Sequence, residues 1–148
     1  MAAKKLNLDN FLPYRLSIAS NALSERIAAE YQNRFGLKIP EWRLMAVLGE
    51  GKPKTQRELV EATRMDKVTV NRAAKALAER QLIARQAHAV DGRSHHLELT
   101  ETGWSLYDAI VPAALASETQ LESNITPAER ATMMAILAKL TAAAEDYA

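Results

Sequence analysis

Two helix starts lie eleven residues apart in the middle of this chain, and no other feature restricts its fold as sharply. Thr55-Gln56-Arg57-Glu58 has the form of a capping box. The Thr55 hydroxyl can accept from the Glu58 amide, and the Glu58 side chain can return the bond. The helix that it opens ends near Arg64. Asp66 is a natural N-cap for the next, DKVTVNRAAKALAERQ. Only about three residues separate the two helices, so they must cross sharply, as in a helix-turn-helix.

The residues immediately downstream narrow the fold further. Residues 82–88 (LIARQAH) and 95–99 (HHLEL) read as short strands, with Leu97 and Leu99 on one face and Glu98 on the other. Asp91-Gly92 between them is a strong turn signal. A helix-turn-helix joined directly to a hairpin is a winged helix. Upstream, Leu12, Leu16, Ala19, Leu23, Ile27, Tyr31 and Phe35 recur at helical steps through residues 10–35, and Gly36 stands where a left-handed cap would end the helix. A second helix starts at Pro40, with Glu41 in its first turn, and runs to the Gly49-Glu50-Gly51 break. Beyond the hairpin, Thr100 caps a helix that Pro112 should kink or divide. Thr126-Pro127-Ala128-Glu129 is a second capping box and opens a last helix through Met133, Ile136, Leu137 and Leu140. The fold class is therefore mainly α with a small β-wing.

The second short helix has two unlike faces. Val70, Ala73, Ala74 and Leu77 can bury. Val68, Asn71, Arg72 and Lys75 lie opposite, with Lys67 and Thr69 at the N-terminal end. The outward set suits a DNA major groove. Arg72 can read guanine O6/N7, Asn71 adenine N6/N7, and Val68 a thymine methyl. Lys67, Lys75 and the helix N-terminus suit phosphates. An ordinary solvated helix face is the plain alternative. Charge favours DNA: residues 52–99 carry ten Lys/Arg against six Asp/Glu, whereas residues 100–148 carry two against seven. A basic middle beside an acidic flank suits a polyanion-binding module on a scaffold that avoids the polyanion; chance clustering is the alternative.

Other classes find little support. The length suits one ordinary domain with a real core. There are no cysteines, so neither disulfides nor thiolate metal sites form. No apolar run reaches about 18 residues, and MAAKKLNLDN lacks a signal core, so a cytoplasmic protein without membrane contact is expected. No Ser/His/Asp spacing, phosphate-cradling glycine loop or paired carboxylates stand out, so no enzyme, cofactor or catalytic residue is expected. His95 and His96 are adjacent on a strand and point to opposite faces. His88 can approach one of them across the hairpin, but polar residues at a DNA rim suit all three better than metal ligands.

Five pieces, in this order and spacing, resemble the MarR (multiple antibiotic resistance regulator) family of winged-helix transcription regulators. They are Thr55-Gln56-Arg57-Glu58-Leu59, Val68-Thr69-Val70-Asn71-Arg72, Leu82-Ile83-Ala84-Arg85, Asp91-Gly92-Arg93 and Leu99-Thr100-Glu101-Thr102-Gly103. The resemblance spans essentially the full chain. It implies a homodimer built from helices in residues 1–36 and 104–148, with a winged helix-turn-helix lobe over 37–103, all within one domain. It implies pseudo-palindromic operators, usually under repression, and Thr55 and Gln56 are counted with the DNA-binding residues. It puts Arg93 in the minor groove, where Asp91 is expected to hold it by a charge-assisted bond. A plain hairpin turn with a solvated arginine is the alternative. One departure stands out. The family usually has glycine just after the recognition helix, where this chain has Gln81, which must turn left-handed or end the helix differently.

The family's effectors sit between the long helices and the lobe, which makes Arg26, Trp42, Arg43 and Tyr107 candidates. The rings would supply a stacking wall and an arginine a carboxylate clamp. Trp42 reads more readily as core, and Arg26 as solvated or interfacial. FLPYRLSIASNALSERIAAEY and GLKIPEWRLMAVLGE are similar to family members that regulate aromatic-acid catabolism. That similarity implies an aromatic acid or its CoA thioester as small-molecule effector. Dimerisation has support in the residues too: Phe11, Ile18 and Ala22 widen the apolar surface of the first helix beyond one stripe. The rival function is a winged helix serving as a protein-interaction module without sequence-specific DNA binding. The outward Lys67, Asn71, Arg72, Lys75 and Arg93 argue against it.

Overall fold

The computed structural model describes residues 3–87 and 95–147; His88, Asp91, Gly92 and Arg93 lie outside them. The chain divides into two compact units, one up to Ala114 and one from Leu115 onward. In the first unit a short 3-10 turn, Leu8–Asn10, precedes α1 (Leu12–Phe35), α2 (Ile39–Leu48), α3 (Gln56–Thr63), α4 (Lys67–Glu79), β1 (Ile83–Ala87) and β2 (His95–Leu99). Helix α5 (Glu101–Leu121) starts in the first unit and ends in the second, which also holds α6 (Pro127–Glu145). No helix among the described residues is long and apolar enough to cross a membrane.

Each boundary has a local cause. Pro13 lies in the first turn of α1, where its missing N–H is no loss. Gly36 ends that helix at φ 66°, a conformation that a Cβ would disfavour. Thr55 caps α3 by accepting from Glu58 N at 3.1 Å. The return bond expected of a capping box is not formed among the described residues, whereas at Thr126 both bonds are present. Of the two outcomes expected at Pro112, a kink or a division, the division is corrected: α5 runs from Glu101 to Leu121 with Pro112 inside it. The proline leaves the Asp108 carbonyl without an intrahelical donor, but both residues are exposed and water can take that acceptor.

The core of the first unit joins α2, α3, α4 and the hairpin. Leu37, Leu44, Met45, Leu59, Val70, Leu77 and Leu97 are fully buried there. Burying each such leucine or valine stabilises by about 1.5–3 kcal/mol before entropy is counted. The hairpin is antiparallel, with Ile83 opposite Leu99 and Gln86 opposite His96. Lys54 adds a bridge on the far side of β2, its N–H donating to Leu97 O at 3.0 Å and its carbonyl accepting from Leu97 N at 2.7 Å.

Two junctions fix α4. At its end Gln81 takes φ 59°, so the left-handed turn falls on a residue with a side chain. Gln81 N bonds Ala78 O at 2.9 Å and Leu82 N bonds Leu77 O at 3.0 Å, the pair of contacts of a Schellman motif. Thr100 then ties the start of α5 to this turn. Its hydroxyl donates to Gln81 O at 2.7 Å, its N–H donates to Leu82 O at 3.1 Å, and the hydroxyl oxygen accepts from Gly103 N at 3.0 Å. A Cβ at Gly103 would collide with the Leu82 carbonyl oxygen. The second junction is Arg80, whose guanidinium donates to Phe35 O at 3.0 Å and to Gly36 O at 3.3 Å, at the end of α1.

The stripe on α1 is covered only near its C-terminal end. Tyr31 of the stripe and its neighbour Ala28 are buried, while Leu12 and Leu23 of the stripe and Ile18 beside it are about half exposed, at 51%, 47% and 49%. Helix α6 buries nothing, and Met133, Met134 and Ile136 stand open along it. In the second unit Arg130 bonds both carboxylate oxygens of Glu122 through Nε at 3.0 Å.

Candidate nucleic-acid interface

Asp66 creates the start of α4. One carboxylate oxygen accepts from Thr69 N at 2.7 Å and the other from the Thr69 hydroxyl at 2.7 Å. These bonds hold the Asp66 carboxyl below its ordinary range. They also redirect Thr69. Its hydroxyl proton goes to the cap. Thr55 is the reverse case: its hydroxyl oxygen accepts within the cap of α3, which leaves the proton available to an outside acceptor.

The helix these caps start divides as its sequence indicates. Val70, Ala73, Ala74 and Leu77 are buried, and Lys67, Val68, Asn71, Arg72 and Lys75 are exposed. Val68 is an apolar side chain left 59% exposed. An open groove of about 550 Å³ runs beside this face. Gln56, Arg57 and Val60 of α3 line one side, and Lys67, Val68 and Asn71 of α4 the other. Gln56 Nε2 donates across it to Asn71 Oδ1 at 3.2 Å. Arg57 was not evident from sequence as part of this surface, although its place beside Gln56 in the first turn of α3 carries the signal. Asp91 and Arg93 lie outside the described residues. His95 and His96 open β2, opposite Ala87 and Gln86, and no group of three or more metal-ligating side chains occurs among the described residues.

The effector candidates divide. Trp42 and Tyr107 do meet, stacked at 5.9 Å between ring centroids. Tyr31 lies 5.6 Å from Trp42, and Trp104 is edge-on to Tyr107 at 5.5 Å. Trp42 and Tyr107 are half-buried and pack against the core, so the core assignment of Trp42 has a physical basis. Tyr107 also leans on Gly49, where a Cβ would overlap its ring. Arg26 and Arg43 are exposed. Burial pushes the Tyr31 phenol up, and the nearby Arg43 charge opposes that in part. Sequence reasoning missed Tyr31 and Trp104 as members of this cluster. The three-residue spacing of Trp104 and Tyr107 on one helix was the available signal.

The MarR family model matches residues 35–94. The chain is 29% identical over 96 residues to the HTH-type transcriptional repressor NicR of Pseudomonas putida, a match covering 65% of this chain and 61% of that protein. The crystal structure of a MarR/EmrR family transcriptional regulator from Acinetobacter sp. ADP1 is similar at a TM-score of 0.88 and 27% identity, over 95% of this chain and 99% of that one. BpsR of Bordetella bronchiseptica, whose DNA binding is regulated by 6-hydroxynicotinic acid, shares the fold at a TM-score of 0.83 and 21% identity, over 93% and 98% of the two chains.

Proposed function

We propose that this chain, which belongs to the MarR family of winged-helix transcription regulators, is a DNA-binding repressor that acts as a homodimer on pseudo-palindromic operators and is released by a small aromatic acid or its thioester. The observation that carries the DNA half is the outward face of α4: Lys67, Val68, Asn71, Arg72 and Lys75 are all exposed on a helix whose opposite face is core. Arg72, Asn71 and Val68 meet base edges, while Lys67, Lys75 and the Thr55 hydroxyl meet phosphates. Family resemblance assigns Arg93 to the minor groove and Asp91 to holding it.

The uncovered stripe of α1 and the open apolar residues of α6 support the dimer. Residues 1–36 and 104–148 form its base and 37–103 the lobe that meets DNA. Two recognition helices then enter successive major grooves about 34–36 Å apart. An aromatic acid bound near Trp42 and Tyr107, with Arg26 or Arg43 for its carboxylate, changes that separation. A 100-fold loss of DNA affinity requires about 2.7 kcal/mol of differential binding to the two conformers.

The test has three parts. Fluorescence anisotropy with a random duplex across a salt series should give an affinity that falls steeply with salt; a flat response would remove the DNA assignment. Sedimentation at micromolar concentration should show a dimer, and a lone monomer would remove the symmetric operator. Aromatic acids, 6-hydroxynicotinic acid among them, and their thioesters should release selected DNA. No effect at millimolar concentration would remove the effector alone. Release that persists unchanged in Trp42→Ala would move the pocket elsewhere.

A further inference from the structure

Among the described residues of 37–103, Val68 is the one large apolar side chain left exposed. A single exposed valine is ordinary on a protein surface. This one stands in the first turn of α4, where neither helix propensity nor charge favours it, since that turn suits acidic side chains. It also borders the groove between α3 and α4. Val60 of α3 and Val70 of α4 line the same groove, so branched side chains from two helices give it a methyl-rich wall. Val60 is half-buried against the core and Val70 is fully buried, which holds both in place. Val68 has the most surface left to bury.

The charge around the groove selects the occupant. Lys67, Arg72 and Lys75 are exposed on the same helix and span about 12 Å of its axis. That spread suits the phosphates of a duplex rather than one carboxylate. On the major-groove edge of a base pair, the apolar group is a methyl on C5 of a pyrimidine. We infer that the valine-lined groove reads this methyl group, whichever pyrimidine carries it. Valine neither donates nor accepts hydrogen bonds, so the valines themselves do not distinguish O4 of thymine from the N4 amine of cytosine. Thymine is then favoured over uracil, and 5-methylcytosine over cytosine, at one position in each half-site. The thymine contact open to Val68 by itself becomes a site built by α3 and α4 together, and operator affinity rises when a cytosine at that position is methylated.

The inference rests on the DNA-binding proposal, and the experiment separates the two. The full chain selects from a randomised duplex library. The enriched duplex is then remade, one pyrimidine of one half-site at a time, with thymine, uracil, cytosine or 5-methylcytosine. Thymine and uracil differ by the methyl group alone, and so do 5-methylcytosine and cytosine. Fluorescence anisotropy at one salt concentration gives the affinities, with unselected duplex measured alongside. At one position uracil should bind roughly fourfold more weakly than thymine, the worth of burying one methyl group. Cytosine should fall below 5-methylcytosine there by a similar factor. In Val68→Ala both differences should vanish, while affinity for unselected duplex stays as in the wild type. Val68 is exposed, so the fold does not depend on it.

Equal affinity for thymine and uracil at every position would overturn the inference. If an aromatic acid then released DNA from the wild type but not from Val68→Ala, the groove would belong to that ligand. Discrimination that persists in Val68→Ala would assign the methyl to another side chain and overturn the inference too. So would a thymine preference over uracil with no gain from methylating cytosine at the same position. In each of these cases DNA binding itself would stand. No binding or enrichment by the wild type would overturn the DNA-binding proposal and this inference with it.

Discussion

Replacing Gly103 with alanine should destabilise the protein, against the usual direction of a glycine-to-alanine change in a helix. Helix propensity, which already contains the stiffer unfolded chain, would stabilise α5 by about 1 kcal/mol. The structure opposes this. The Leu82 carbonyl oxygen occupies the space that the new Cβ needs, with Leu99 Cδ2 at 3.3 Å behind it. The obstacle is backbone and cannot rotate away. It is also the acceptor of the Thr100 N–H, one residue from the acceptor of the Thr100 hydroxyl. Overpacking of this kind costs about 1–3 kcal/mol. Loss of the two Thr100 bonds adds about 0.5–1.5 kcal/mol each. The net expectation is a loss of about 2–3 kcal/mol, or roughly 1 M in the urea midpoint for a slope near 2 kcal/mol per molar. Urea titrations followed by circular dichroism and tryptophan fluorescence, at one protein concentration, measure it. Gly36→Ala is the control: nothing lies within 4 Å of its Cβ, so only the left-handed backbone is strained, at about 1–2 kcal/mol. An unchanged or raised midpoint for Gly103→Ala, or a drop smaller than that of Gly36→Ala, would refute the close-approach argument.

At Gln81 the opposite sign is expected. Gln81→Gly relieves a left-handed side chain at a cost of some unfolded-state entropy, for a net gain of about 0.5 kcal/mol and a higher melting temperature; a lower melting point would show that the glutamine is not strained. The Asp66 cap sets an acid limit. Its folded pKa lies below the ordinary 3.8, so its stabilisation is complete above that value and is lost as pH falls through the lower, folded one. Asp66→Asn should flatten this part of the acid unfolding curve, and an identical curve would assign the transition to other carboxylates. On DNA, Arg72→Ala should weaken operator binding by about 1–3 kcal/mol and relax one base preference per half-site. Lys75→Ala should weaken all sequences equally and reduce the salt slope by about one. A sequence-independent loss for Arg72→Ala would place that arginine on phosphate.

The elements legible in the sequence were those whose signals are local. The caps at Thr55, Asp66, Thr100 and Thr126 are all in use, and Val70, Ala73, Ala74 and Leu77, the inward face expected of α4, are its buried residues. The glycine-less turn at Gln81 was legible as a problem, and the structure solves it with a left-handed glutamine. What escaped depends on neighbours distant in sequence. Nothing local marks Lys54 as a strand partner of Leu97, or shows that Arg80 reaches the end of α1. The bond from Gln56 to Asn71, 15 residues apart, is likewise invisible until the side chains are placed. Pro112 does not divide its helix, because the freed Asp108 carbonyl lies at an exposed position where water can take it.

The double contact from Arg80 to Phe35 and Gly36 bears on leverage. Helix α1 has 24 residues and is therefore about 36 Å long. Its near end is joined to the end of α4 by two bonds from one planar group, which constrain direction as well as distance. Pivoting α1 by about 10° around its far end sweeps the near end through about 6 Å, the arm being that of a straight helix. Stacked base pairs are about 3.4 Å apart, so the swing spans nearly two steps of the duplex. On the proposed role of α4, a side chain cut to reach one base edge would arrive at the wrong rung. A small change in the pitch of this arm is thus enough to put a correctly built reading head out of register with its text.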